Sequence, residues 1–379
     1  MKEIPLCIPD ISRDEEEAVI EVLRSHWLIQ GPKNREFEEM FARFIGTRRA
    51  ISSNSGTSAL FLALLALGIK GEVILPSFTF VASANAVLAA GARPVFADID
   101  YPTLNLDPAD VEARITPRTE AVMVVHFGGQ PADMDEYTRL ADRYGLALIE
   151  DSAETIGGEY RGRKAGSFGI GCFSFQPTKN ITTGEGGMTT TNDPWLADRI
   201  ATLLGHGLAV SAEARAASPT PWSRSASLVG FNMRLTNFQA ALGIVQMKKL
   251  DRMNRARQAH AAGLLGRLAG FPGLDLPVVR PDRTHVWQMF TVKVRDDLDR
   301  DRFTRFLRDR GVGASVHFQP PVHLQEYYLA NGYGQKDLPR TERAAKNIVT
   351  LPMYPGLTES DLDYLAETAG QALADQDAR

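Results

Sequence analysis

Lys179 is the one lysine in the stretch SFQPTKNITTGEGGM, residues 174–188, where its neighbours are small, hydroxylated or glycine. An amine sheltered from water and other charges is more readily neutral and so nucleophilic, which is what a Schiff-base lysine requires. The competing reading is a lysine reaching into solvent from a turn. Asp151 closes the apolar run LALIED, 28 residues before Lys179. A carboxylate there suits the ring nitrogen of a pyridoxal cofactor, keeping it protonated so that the ring withdraws electrons; a plain helix cap is the alternative. The third element is SSNSGTSALFLALL, which sets Ser55, Gly56, Thr57 and Ser58 at the start of an apolar helix. Free N–H groups and the helix dipole favour an anion at such an end, and Gly56 permits close approach. An ordinary Ser/Thr cap without a ligand competes with that reading. Each signal is weak by itself; an anion cradle, a strand-end Asp and a sheltered Lys in one order are much stronger together.

The elements that must hold these residues alternate. SALFLALLALGI reads as a buried helix, EVILP as a strand, VASANAVLAAG as a helix and ARPVFADID as a strand. Strand EAVMVVHF, helix MDEYTRLADRYG and strand LALIEDSA follow. Strands apolar on both faces, separated by helices, predict a largely parallel sheet with helices on both sides, hence an α/β fold. Ligands of such sheets bind beyond the carboxyl ends of the strands, so Ser77 to Phe80, Asp98, His126 and Asp151 come into view. Residues 206–230, rich in Ser, Ala and Pro, read as a long excursion. One or two amphipathic helices come next, then a smaller C-terminal unit with strand HVWQMFTVKV, helix DRFTRFLRDRG, strand GASVHF and closing helix ESDLDYLAETAGQAL.

Whole-chain properties narrow the field. The 379 residues are 44% apolar and 23% charged with net charge −4, without the basic cluster a nucleic-acid binder needs. Two cysteines, Cys7 and Cys172, give no disulfide framework or metal pair. The N-terminal residues lack an apolar signal core, and the greasiest stretch, ALFLALLALGI, is about half a membrane span, so a cytoplasmic setting without membrane partners is expected. GxGxxG after a strand, GxxxxGK[ST], GxSxG and HExxH are all missing, and no metal is expected. For Asp98 and Asp100 in FADID, strand-end capping is the stronger reading than a metal site.

The blocks WLIQGPKNREFEEMFARFIGTRRAISSNSGTSAL, EVILPSFTFVASANAVLAAGARPVFADID, IEDSAETIGG, FSFQPTKNITTGEGGM and VGFNMRLTNFQAALG, taken in order, resemble the DegT/DnrJ/StrS sugar aminotransferases along nearly the whole chain. The resemblance implies a fold type I pyridoxal 5'-phosphate enzyme, with a large cofactor-binding domain over 1–250 and a smaller α+β domain over 251–379. It implies that Lys179 carries the cofactor covalently and Asp151 meets the pyridine nitrogen. Gly56, Thr57 and Ser174 fall at phosphate-binding positions, and Phe80 at that of the aromatic covering the ring. Asn232 corresponds to a residue that reaches the neighbouring subunit's phosphate, so a homodimer with shared sites is implied. At Glu154 many members carry Gln or His; Glu there resembles the perosamine synthase branch.

The implied reaction is transamination from glutamate to a nucleotide-linked keto-sugar, in polysaccharide or antibiotic biosynthesis. SVHFQPPVHLQEYY resembles members acting at C4 of 4-keto-6-deoxy sugars, which makes His317 and His323 candidates for substrate contacts. A packed neutral histidine is the alternative at His317. Arg234 is a candidate for a diphosphate, or an exposed structural arginine. Amination at C3 and a cofactor-binding regulator without turnover stand as alternatives. The sugar dehydratases among the relatives carry His at the place of Lys179, which argues against that chemistry.

Overall fold

The computed structural model describes residues 2–210, 212–334 and 337–377. Helices α1 (Arg13–Ser25) and α2 (Pro32–Ile45) lead into β1 (Arg49–Ser53), α3 (Gly56–Leu67), β2 (Glu72–Pro76), α4 (Ala82–Ala89) and β3 (Arg93–Ala97). Then come β4 (Thr119–Val125), α5 (Met134–Tyr144), β5 (Ala147–Asp151), β6 (Ile170–Ser174) and β7 (Gly187–Thr191). The seven strands form one sheet in the order β1-β7-β6-β5-β4-β2-β3. The pairs β2/β3, β2/β4, β4/β5 and β5/β6 are parallel, while β6/β7 and β1/β7 are antiparallel. This is the mostly parallel α/β sheet that the alternating pattern predicts. All five residues of β2 are buried, as a strand covered on both faces requires.

Helix α3 is apolar nearly all round because it lies inside the molecule. Ser55 starts it by accepting the Ser58 N–H, and Gly68, at φ 75°, ends it in the left-handed region. The long helix α6 (Asn237–Leu268) starts at a capping box, in which Gln239 Oε1 accepts from the N–H and hydroxyl of Thr236. It is continuous, so the expected division at residue 250 falls inside it. Ala240, Ile244, Met247, Leu250 and Met253 pack in a core with α2, Phe173 and Phe175. Ala261, Leu264 and Leu268 pack in the core of the C-terminal unit.

That unit contains β8 (Leu274–Asp275), β9 (Phe290–Val294), α7 (Arg300–Asp309), α8 (Pro339–Asn347), β10 (Ile348–Leu351) and α9 (Glu359–Asp377), with strands in the order β8-β9-β10. One expected strand is absent. GASVHF makes a single bridge, Ser315 to Thr350, and runs on as a loop. Gly313 is pressed against the N-terminal segment, where a Cβ would meet Leu6 N at 2.5 Å. Pro320 and Pro321 then lack the N–H groups that would extend a ladder. The N-terminal segment is itself tied down: Ile4 bridges Val312, and Leu6 O accepts the Met353 N–H at 3.3 Å. Among the described residues, no helix is long and apolar enough to cross a membrane.

Candidate active site

A cavity of about 720 Å³ opens beyond the carboxyl ends of β2, β4 and β5. Its floor and walls come from the sheet, α3 and α4. Its far side comes from loop residues 316–320, Leu351 and Met353 of the C-terminal unit, with Leu6 and Cys7 of the N-terminal segment.

The start of α3 forms part of the lining. The first N–H groups of a helix lack intrahelical partners, and Gly56 and Thr57 line the cavity there beside Ser55 and Ser174. A Cβ on Gly56 would meet Ser174 Cβ at 2.7 Å, so only glycine lets the helix end approach β6 this closely. Gly187 closes the arrangement from behind, since its Cβ would meet Ser55 O at 2.2 Å.

Asp151, 6% exposed, lines the same cavity. It caps no helix. Oδ2 accepts the Ser83 hydroxyl at 2.7 Å and Oδ1 accepts the Ala153 N–H at 3.2 Å. Burial pushes its carboxyl above the usual carboxylate range; the Ser83 and Ala153 hydrogen bonds and Lys179 oppose that, and Glu154 adds to it. Glu150, the preceding residue, accepts the N–H groups of Gly166, Phe168 and Gly169 at 2.7, 2.7 and 2.8 Å, and its Oε2 lies 3.1 Å from His126 Nε2. His126 is thus spent inside the protein, fixing the strand ends rather than lining the cavity.

Lys179 reaches in from the loop between β6 and β7. Its Nζ lies 3.6 Å from Glu154 Oε1, while Glu154 Oε2 accepts the Gly128 N–H at 2.8 Å. Phe80, 62% exposed, lines the cavity and leans on Phe318 with centroids 6.4 Å apart. His317 lines the same cavity, with Nδ1 at 2.9 Å from Thr350 Oγ1. Burial is the largest influence on it and lowers its pKa, which favours a neutral imidazole.

Three expected residues lie elsewhere. His323 is buried, with Nδ1 at 2.6 Å from Ser77 Oγ and Nε2 at 3.5 Å from Glu342; it does not line the cavity. Asn232 and Arg234 sit at the surface, joined by a 3.1 Å hydrogen bond, with Arg234 Nη2 at 3.3 Å from His206 Nε2. Asp98 takes up the Thr341 N–H and hydroxyl, both at 2.8 Å, at the start of α8. Among the described residues, no group of three or more His, Cys, Asp or Glu is placed to hold a metal ion. Sequence reasoning passed over Ser83, Gln176, Thr178 and Gln288 of the lining, while Thr79 falls in the strand-end run Ser77 to Phe80 that it brought into view. The four-residue spacing from Thr79, just beyond a buried strand, is the one signal that pointed to Ser83.

The arrangement fits pyridoxal phosphate. A glycine-built cradle at a helix start suits the phosphate, an exposed aromatic suits the ring, and a buried acid and an amine line the same cavity. Residues 9–369 match the model of the DegT/DnrJ/EryC1/StrS aminotransferase family. The chain belongs to that family. It is 42% identical over 372 residues, covering 96% of this chain and 95% of the relative, to the spore coat polysaccharide biosynthesis protein SpsC of Bacillus subtilis (strain 168). In structure it is similar to DesV of S. venezuelae, solved in complex with a ketimine intermediate, with a TM-score of 0.91, 37% identity and coverage of 98% and 99% of the two chains. It is similar also to DesI, solved in the presence of its TDP-sugar product, with a TM-score of 0.89, 32% identity and coverage of 100% and 95%. Membership of the DegT/DnrJ/EryC1/StrS family makes this chain an aminotransferase with the fold type I architecture.

Proposed function

We propose that this family member transfers an amino group from L-glutamate to the C4 ketone of a nucleotide-linked 4-keto-6-deoxyhexose, using pyridoxal phosphate. The carrying observation is that Lys179, Asp151 and the start of α3 bound one cavity of about 720 Å³. DesI, solved with a TDP-sugar product, and SpsC, named for polysaccharide biosynthesis, support a nucleotide-sugar acceptor. The likeness of the His317 loop to C4-acting members supports the ketone position, and Glu154 the perosamine synthase branch.

Residues 55–57 and Ser174 would hold the phosphate, Phe80 would cover the ring and Asp151 would meet its nitrogen. When bound, the cofactor supplies an electron sink for charge at the carbon that carries the transferred nitrogen. Lys179 would supply the amine that binds the cofactor and, once freed, would act as base and then acid in a 1,3-proton shift, taking the proton from that carbon and delivering it to the carbon on the far side of the transferred nitrogen. Glu154, fixed by the Gly128 N–H, holds the Lys179 ammonium while it carries that proton. Phe318 and Met289 line the far wall and keep water from the reacting atoms. The surface position of Asn232 and Arg234 supports a homodimer in which Asn232 reaches the neighbour's phosphate site and Arg234 the diphosphate of its substrate.

The test is absorbance of pyridoxal phosphate-loaded protein before and after excess L-glutamate, with Lys179→Ala alongside. The expected result is a cofactor band that glutamate bleaches in the wild type and not in the variant. A panel of 4-keto and 3-keto nucleotide sugars, followed by mass spectrometry of the aminated product, then decides the ketone position. Turnover of 3-keto sugars alone would replace the C4 reading. Failure to bind pyridoxal phosphate at all would overturn the whole proposal.

A further inference from the structure

We propose that Ser83 is the positioning residue of Asp151, holding its carboxylate ionised and aligned through a relay of hydroxyls that begins at Thr79. The inference rests on the reading of Asp151 as the cofactor's acidic partner.

Ser83 lies in the first turn of α4 and is 1% exposed. A serine inside a helix commonly spends its hydroxyl on the carbonyl four residues back. Here the hydroxyl crosses to β5 and donates to Asp151 Oδ2 at 2.7 Å, while Thr79 Oγ1 stands 2.9 Å from Ser83 Oγ. A hydroxyl has one proton to give. With Asp151 ionised, Ser83 gives its proton to the carboxylate and accepts that of Thr79, so both hydrogen bonds run towards the charge. With the proton on Asp151 Oδ2, Ser83 has to accept there instead of donating. The relay therefore favours the ionised form, and a hydrogen bond to a buried charge is among the stronger kind. Burial raises the Asp151 carboxyl, and Ser83 is the largest of the influences that oppose it.

The other charged or titratable groups facing Asp151 are Glu154 and Lys179, together with the buried Cys172 thiol on β6. None of them hydrogen-bonds its oxygens. The main-chain N–H of Ala153 holds Oδ1, at 3.2 Å, and among the described residues Ser83 is the group that holds Oδ2, so it completes the fixing of the carboxylate's rotation.

The experiment compares wild type with Ser83→Ala, Ser83→Thr, Thr79→Val and Asp151→Asn. Three quantities are read: the dissociation constant for pyridoxal phosphate, the pH midpoint of the bound cofactor's visible absorbance, and the rate of the glutamate half-reaction. Ser83→Ala is expected to weaken cofactor binding about tenfold, the effect of losing one hydrogen bond to a charge. It is also expected to displace the pH midpoint, while far-UV dichroism stays that of wild type. Ser83→Thr, which keeps the hydroxyl, restores both. Thr79→Val shows a smaller change in the same direction, and it carries the test if Ser83→Ala fails to fold. Asp151→Asn shows a larger loss than either. Ser83→Ala with binding and midpoint within twofold of wild type, beside a damaged Asp151→Asn, overturns the role of Ser83 and leaves the aminotransferase reading standing. Wild-type protein that binds no pyridoxal phosphate overturns both.

Discussion

Asp151 is a carboxylate held where charge is expensive, and its behaviour without cofactor follows from that. Its folded-state pKa is raised by burial, so folding prefers the protonated acid. The cost is absent below the unfolded carboxylate value and grows as pH rises through the raised one. Cofactor-free Asp151→Asn is therefore expected to melt above wild type at neutral pH, with the gap closing in acid, as differential scanning fluorimetry across pH would show. Glu154 works in the opposite sense. Glu154→Ala leaves the buried Gly128 N–H without its 2.8 Å acceptor and Lys179 without its carboxylate. A loss of about 1–3 kcal/mol is expected, measured by urea unfolding. At this scale the sequence was readable wherever chemistry marks a residue type. Lys179, Asp151, Gly56, Thr57, Phe80, Glu154, Ser174 and His317 all come to one cavity. Ser83 escaped because a hydroxyl near a helix start looks the same whether it caps, packs or serves a carboxylate. His323 lies outside that lining, and a histidine beside a proline pair carries no sign of which face it will take.

Among the elements, the approach of α3 to β6 leaves no spare volume. Gly56→Ala drives a Cβ to 2.7 Å from Ser174 Cβ and 3.2 Å from its Cα, so backbone has to yield. A destabilisation of about 1–3 kcal/mol is expected, with phosphate or pyridoxal phosphate affinity, measured by isothermal titration, falling tenfold or more. Helix α2 gives a pH test of its own. Glu38 accepts the N–H and hydroxyl of Ser52 on β1, at 2.8 and 2.7 Å, and burial pushes its carboxyl up to about 7 against those bonds. Folding then favours the protonated form, and stability falls as pH rises from about 4.5 through about 7. Glu38→Gln is expected to be more stable than wild type by about 1–3 kcal/mol at pH 8 and equal to it near pH 4, by chemical denaturation. Strands and helices of the large sheet were legible because burial on both faces leaves unbroken apolar runs. GASVHF has the same composition, yet two prolines and the pressure of the N-terminal segment on Gly313 keep it a loop.

Across the molecule, α6 joins two cores, one around Phe41, Phe173 and Phe175 and one around Phe290, Val292 and Phe303. A rigid helix shared between them couples their stabilities. Leu250→Ala, at a fully buried position, is expected to cost about 2–5 kcal/mol. It should lower the unfolding midpoints followed by tryptophan fluorescence and by far-UV dichroism together; separate transitions would show that the two cores melt independently. No composition shift announced this sharing, since an amphipathic helix of this length reads alike whether it divides two units or spans them. The order of strands in the sheet has a further consequence, felt during synthesis. Helix α3 ends at Leu67, but β6 and β7, which pack against it, are residues 170–174 and 187–191. At about 5–20 residues per second, the greasiest segment of the chain leaves the ribosome on the order of ten seconds before its cover exists. During that interval the nascent chain is a ready client for chaperones, and a slow stretch of codons between the two would lengthen the exposure.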